Sequence, residues 1–352
     1  MRLRLLLVTA ALFQLLLTGC WDNKDINHRA LPIAMGISYK AGEYTVYLDI
    51  PKVSAQEKGI DIYSDHGNSI NEVIDQISMN LESQVDLLHL KVILVDKPFA
   101  LHGLEEGVAN IIRSRYIAPK TVFVISDEPL DRFFNRINDS SNDGKSIYDF
   151  FQKDAGWSPQ IAYTHVWNIF RSVHSYTNDV VLPLIKAGDT TVLESTGSAI
   201  MKNGKMVGRL KNEQTLLYNV YNGDSMMGKI EVMGHATIQI VSSRIKSKGY
   251  FKAGKPFLKS TLYLKVLIID TRGNPTTQEI KTELQKLVTT RFNEIIKHIR
   301  HDKADIFGLG QHFRDDLSRK ELAKWREKYL PQLQVELDVN TVVRNTGNLK
   351  LP

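Results

Sequence analysis

The sequence predicts a mixed α/β chain of the α+β kind, with helix-flanked sheets spread over two or three domains. Three observations predict it. The first half alternates amphipathic helical stretches with short, wholly apolar strand runs. Two hairpin signals flank that alternation, one at each end. The last third carries long period-two strands and one helix with an unusually long apolar stripe.

The chain opens on a leader. Arg2 and Arg4 precede the apolar run Leu5 to Leu17, interrupted by Thr9 and Gln14, which ends at Leu17-Thr18-Gly19-Cys20. The run has signal-peptide length and is short for a bilayer span. Cys20 is the single cysteine of 352 residues, and small residues directly before it form the pattern of a bacterial lipoprotein signal. Cleavage before Cys20 and a diacylglycerol on its sulfur are therefore expected. The competing reading is an ordinary buried cysteine behind an apolar helix. Burial of acyl chains contributes about 0.8 kcal/mol per methylene, so two chains hold a protein on a membrane where one binds reversibly.

Trp21 to Arg29 reads as a polar, extended tether. Leu31 to Tyr39 and Tyr44 to Val53 read as strands joined at Ala41-Gly42. Ile70, Val73, Ile74, Ile77, Leu81, Val85 and Leu88 then fall on one helical face, with Asn68 or Ser69 as N-cap. Leu90 to Val95 and Thr121 to Ser126 are buried-strand runs, and Pro98 to Ile112 between them reads as a helix. This order predicts an α/β layer with parallel pairing. Short helices around Leu130 to Ile137, Ile147 to Phe151 and Tyr163 to Val173 would cover it, with a loop at Asp139 to Lys145.

From Val180 strands return. Glu194 to Lys202 and Lys205 to Leu210 flank Asn203-Gly204, a pair suited to positive φ in a tight hairpin, and Gln214 to Val220 reads as a helix. This hairpin and the one at 31–53 could share a sheet, with the α/β segment inserted between them. Strands His235 to Ser247 and Phe257 to Asp270 follow. Pro275 opens a helix with Ile280, Leu284, Leu287, Val288, Phe292, Ile295, Ile296 and Ile299 on one face. A loop at Asp305 to Gly310, a helix Ser318 to Tyr329 and a strand Leu333 to Val343 complete a helix-backed antiparallel sheet.

Charge excludes more than it assigns. The net charge is +6; removal of Arg2 and Arg4 with the leader leaves +4. That balance suits an anionic membrane surface, and no basic run with interleaved aromatics points to nucleic acid. With Cys20 acylated, no thiol remains for a disulfide or a thiolate metal site. No Gly-x-Ser-x-Gly elbow and no complete Gly-x-x-x-x-Gly-Lys-Ser/Thr phosphate loop occurs. Gly308-Leu309-Gly310 follows a helix and serves as a turn or cap. His298 and His301 are one helical turn apart near Asp302 and Asp305, yet zinc wants three or four assembled ligands. A solvated helix end, with His301 favoured by the C-terminal dipole, is the competing reading.

Asp305-Ile306-Phe307-Gly308-Leu309-Gly310, followed by Trp325, Pro331, an alternating strand and Gly347, resembles the C-terminal signature of the spore germination Ger(x)C lipoproteins. Gly19-Cys20-Trp21-Asp22, with Ile26, resembles the start of that family. Gly197 through Ala199, Met206-Val207-Gly208 and Glu213 resemble its central motif, and Ala118-Pro119-Lys120 another. The resemblance covers essentially the whole chain. Asp25 stands where the family commonly has Glu, and Leu309 where it has a second Phe; neither removes a known chemical group.

The resemblance implies a C subunit of a nutrient germinant receptor of endospore-forming bacteria, non-catalytic and without metal or cofactor. It would be lipid-anchored on the outer face of the spore inner membrane and assembled with two integral-membrane subunits. It also implies three domains of mixed α/β structure, the first discontinuous. After the signal peptide 1–19, domain I is expected at 20–53 and 180–225, domain II at 54–179 and domain III at 226–352. Besides Cys20 for lipidation, Trp21, Asp22, Asp305, Phe307, Gly308 and Gly310 are candidates for partner contact or a structural motif. For Trp21 and Asp22 the plainer roles are lipid-interface contact and solubility. A solute-binding lipoprotein feeding a transporter is the alternative; it would show two similar lobes around a cleft.

Overall fold

The computed structural model describes residues 28–52, 59–114, 116–140, 147–152, 158–224, 228–232, 234, 236–273 and 275–345. The leader, Cys20, Trp21 and Asp22, and the loop expected at 139–145 beyond residue 140, lie outside them.

The first half is built on one eight-stranded sheet. Strands β1 (Arg29–Ala30), β2 (Ala34–Lys40), β3 (Glu43–Pro51) and β4 (Ile60–Gly67) come first, followed by helix α1 (Ile70–Asn80), β5 (Gln84–Val85) and β6 (Val92–Asp96). Helices α2 (Lys97–His102) and α3 (Glu105–Ser114) lead to β7 (Val122–Ser126), and α4 (Leu130–Ser140) and α5 (Val166–Val173) lead to β8 (Val180–Ala187), β9 (Leu193–Lys202) and β10 (Lys205–Leu210). The spatial order is β10-β9-β8-β7-β6-β2-β3-β4, while β1 and β5 form a separate parallel pair. Central strands β6 and β7 read Val-Ile-Leu-Val-Asp and Val-Phe-Val-Ile-Ser and are buried at every position. Such continuous apolar runs are what a parallel strand covered on both faces requires. Val73, Phe99, Val108 and Val166 pack on one face; Leu130, Phe133, Phe134 and Phe151 pack on the other.

Helix α6 (Asn212–Asn222) joins this unit to a second, four-stranded sheet. Its strands are β11 (Lys229–Val232), β12 (Ala236–Lys252), β13 (Lys255–Thr271) and β14 (Gln334–Asn345), in that order, with helix α7 (Thr277–Asp302) between the last two in sequence. Thr276 caps α7, accepting from the Glu279 amide while the Glu279 carboxylate accepts from the Thr276 amide. The expected apolar stripe is buried from Ile280 to Ile299 except Leu287, which is partly buried against the same core. That core also receives Val181, Ile200 and Leu210 from the first sheet, so the two units share apolar packing.

Several expectations change. The hairpins near 31–53 and 193–210 do share a sheet, but β6 and β7 of the segment 54–179 lie between them in that same sheet. Those strands pair directly with β2 and β8 and so do not build a sheet of their own. The helix expected over 98–112 breaks at Gly103, whose amide closes α2 on the Phe99 carbonyl at 2.9 Å. Helix α1 stops at Asn80 because Leu81 is extended, and Val85 then pairs with Ala30. Arg29 therefore belongs to the folded body instead of the tether. The C-terminal sheet is not wholly antiparallel: β13 and β14 run parallel. The connection from one to the other passes through α7 and returns the chain to its starting end, which is what parallel pairing demands. Ser318 to Tyr329 is not one helix but a short α8 (Arg319–Leu322) followed by a π-turn at Trp325–Tyr329.

Candidate functional site

The Asp305–Gly310 motif lies immediately after α7, which ends with Lys303 in the left-handed region at φ 52°. Two residues on, the Asp305 side chain turns back on its own loop. Its Oδ1 accepts from the Leu309 amide at 2.7 Å and its Oδ2 from the Gly310 amide at 2.8 Å. A short acidic side chain that ties down following amides is the usual way an Asp nucleates a turn. Gly308 sits at φ +65°, where a side chain would be strained. Gly310 has a different reason: a Cβ there would lie 2.6 Å from Trp325 Cε2 and 2.8 Å from Thr177 Cβ. The absent side chain lets the indole close on the loop, and Trp325 Nε1 donates to Asp305 Oδ2 at 2.8 Å.

The next residue completes the cluster. Arg326 Nε and Nη2 donate to Asp179 Oδ2 and Oδ1, both at 2.9 Å, and Nη2 also donates to the Ser175 carbonyl at 2.7 Å. Asp179 in turn meets Asp305 twice through the backbone. The Asp305 amide donates to Asp179 Oδ2 at 2.8 Å, and the Asp179 amide donates to the Asp305 carbonyl at 2.8 Å. Asp179, Asp305, Trp325 and Arg326 are all buried. The cluster clasps residues 175–179, just ahead of β8 in the first sheet, to the loop and π-turn of the second unit.

Burial pushes the Asp305 carboxyl up to about 7, the Gly310 and Leu309 amides pull it back down, and the nearby Asp179 carboxylate adds to the rise. Both oxygens of each carboxylate accept from donors of the protein itself. The arrangement holds two parts of the chain together.

Phe307 follows the same logic. Its ring stacks on Tyr221 at 4.2 Å between centroids and lies 5.6 Å from Phe292. It is 6 % exposed. Asp305, Phe307, Gly308 and Gly310, expected as partner contacts or a structural motif, are thus all buried in the protein's own core. His301 is exposed beside Asp302, its Nδ1 2.7 Å from Asp302 Oδ1. Among the described residues no three His, Cys, Asp or Glu side chains are placed to hold a metal. Cys20, Trp21 and Asp22 lie outside the described residues.

Sequence reading missed Asp179 and Arg326. Arg326 carried a weak signal, being adjacent to the singled-out Trp325. Asp179 carried none, because its partner is 147 residues away.

The spore germination protein N-terminal domain matches residues 22–187, and the spore germination B3/GerAC-like C-terminal domain matches residues 196–347. The chain is 21 % identical to spore germination protein KC of Bacillus subtilis strain 168, covering 97 % of this chain and 96 % of that one. It is 22 % identical to spore germination protein GerQC of Bacillus cereus, covering 81 % of this chain and 82 % of that one. The crystal structure of the GerBC protein superposes with a TM-score of 0.59 at 15 % identity, over 91 % of this chain and all of that one, which shows a common fold. Matched in both halves and along nearly its full length, the chain belongs to the GerAC-like, or Ger(x)C, family of spore germination proteins.

Proposed function

We propose that this protein is the lipid-anchored, non-catalytic subunit of a spore nutrient germinant receptor. A diacylglycerol on Cys20 holds it to the outer face of the spore inner membrane, where it assembles with two integral-membrane subunits. The observation that carries this reading is the family match, which runs from residue 22 to residue 347 and begins two residues after the Cys20 lipoprotein signal. Among the described residues no helix is long and apolar enough to cross a membrane, so attachment in this reading rests on the lipid. The two sheets differ in strand number and order, which disfavours the paired lobes of a solute-binding lipoprotein.

Replacing Cys20 with Ala tests the proposal. The variant is expected to leave the membrane fraction and to lower nutrient-triggered germination, while its melting curve stays that of the wild type. Full germination by a soluble Cys20→Ala protein, or a native N-terminus that mass spectrometry finds unacylated with the leader attached, would refute it.

A further inference from the structure

The clasp is closed, but a groove on the first unit is not. One part, about 420 Å³, is lined by Arg29, Asn71, Ile74, Asp75, Val85 and Leu88 among others. A second part, about 150 Å³, shares Asn71, Ile74, Leu87 and Tyr116 with the first and continues to Glu106 and Ile111. The groove thus runs between α1, the β5 segment and α3. Its floor is apolar, through Ile74, Val85, Leu87 and Ile111. At its rim Leu88 is 54 % exposed and Tyr116 is 65 % exposed. Exposed apolar side chains scattered singly need no explanation, whereas two on the edge of one apolar concavity mark an interaction surface.

Charge narrows the occupant. Arg29 is neutralised by its ion pair with Asp86. Asp75 and Glu106 also line the groove, and among the described residues neither has a cationic partner. On a chain of net charge +6, this groove is locally acidic. Its carboxylates would repel an anionic lipid surface and attract Lys or Arg.

Position narrows it further. Arg29 is both a groove residue and nine positions beyond Cys20. Nine extended residues reach roughly 30 Å at 3.3–3.6 Å each. With Cys20 in the lipid, as the proposed function requires, the groove cannot stand farther than that from the membrane surface. We infer that it receives a basic, amphipathic juxtamembrane segment of an integral-membrane subunit, apolar side chains on the floor and Lys or Arg against Asp75 and Glu106.

The test uses the full-length, lipidated protein in spore membranes, with a photo-crosslinking residue at Leu88. Irradiation is expected to yield a product whose peptide, mapped by mass spectrometry, belongs to an integral-membrane subunit and combines basic and apolar residues beside a membrane span. The double variant Asp75→Lys with Glu106→Lys should lower that yield at least tenfold and remove its decline with rising salt. Met79→Glu, on the same helix but outside the groove lining, should leave it unchanged. Matched thermal melts establish that each variant folds. Cross-linking to lipid or to a second copy of this chain would overturn the inference. So would an unchanged yield in the charge-reversed protein, or no product at Leu88 while the protein still co-purifies with membrane subunits. If the wild-type chain neither stays with the membrane nor co-purifies with any such subunit, the receptor reading fails, and the groove assignment falls with it.

Discussion

Asp179 and Arg326, separated by 147 residues, form a buried two-pronged ion pair that ties the strand entering the centre of one sheet to the π-turn behind the other. A pair like this adds little to stability compared with an apolar replacement, because both charges lose their hydration. Its weight appears when one partner is removed.

Arg326→Ala is expected to destabilise the protein by about 3–5 kcal/mol, since it leaves the Asp179 carboxylate buried without a cation. The double replacement Asp179→Leu with Arg326→Met should cost less than Arg326→Ala alone. Urea unfolding of the three proteins measures this. An Arg326→Ala protein as stable as wild type would mean that the pair is not held in solution.

Gly310→Ala should cost about 1–3 kcal/mol through overpacking, because its methyl would meet the Trp325 ring and Thr177 at well under van der Waals distance. Gly308→Ala has a separate cause, backbone strain at φ +65°, and should cost about 1 kcal/mol. Combining Gly310→Ala with Trp325→Phe should recover part of the first loss and none of the second. Thermal melts of the single and double variants separate the two mechanisms.

Phe307→Ala should cost about 3–5 kcal/mol, as expected for emptying an aromatic site in a packed core. Phe307→Leu should cost less. Because the ring touches Tyr221 and Phe292, any loss of membrane-subunit co-purification should track the melting temperature across both variants. Loss of co-purification in a fully stable Phe307→Leu protein would contradict this.

Asp49 on β3 is buried and neither carboxylate oxygen has a hydrogen-bond partner among the described residues. Burial pushes its carboxyl from 3.8 up to about 7. Between those values the native state holds a proton that the unfolded state has lost, so stability falls as pH rises through the window and then levels off. Asp49→Asn cannot ionise. Its stability advantage over wild type should therefore grow from pH 4 to pH 7 by roughly 2–4 kcal/mol and stay constant above, on the scale of 1.36 kcal/mol per pH unit. Denaturant midpoints measured across that range check it; an advantage that shrinks with rising pH would show the opposite linkage.

Much of the fold was legible because burial writes itself into local pattern. The all-apolar β6 and β7, the Asn203-Gly204 hairpin with both residues at positive φ, and the stripe of α7 each declare themselves within a short window. Edge strand β4 escaped notice because it carries Asp61, Asp65 and His66 on a half-solvated ladder. Of the clasp, the loop and its glycines were legible and the ion pair was not. The groove was not legible either: its lining comes from three separate elements, and Ile74 looks in sequence like one more core residue of a helical stripe.

By itself, the sequence determined the buried strands β6 and β7, the Asn203-Gly204 hairpin, the long helix α7, the single lipidation candidate Cys20 and the family, because each depends on residue types at fixed short spacings. Only the tertiary structure decided that the hairpins at both ends share a sheet with the strands between them, and that β14 runs parallel to β13. It also decided that Asp305, Phe307, Gly308 and Gly310 face inward while Leu88 and Tyr116 face out. Those outcomes depend on which distant segments meet, and the energy of such meetings lies in burial and ion pairing between residues that no local window contains.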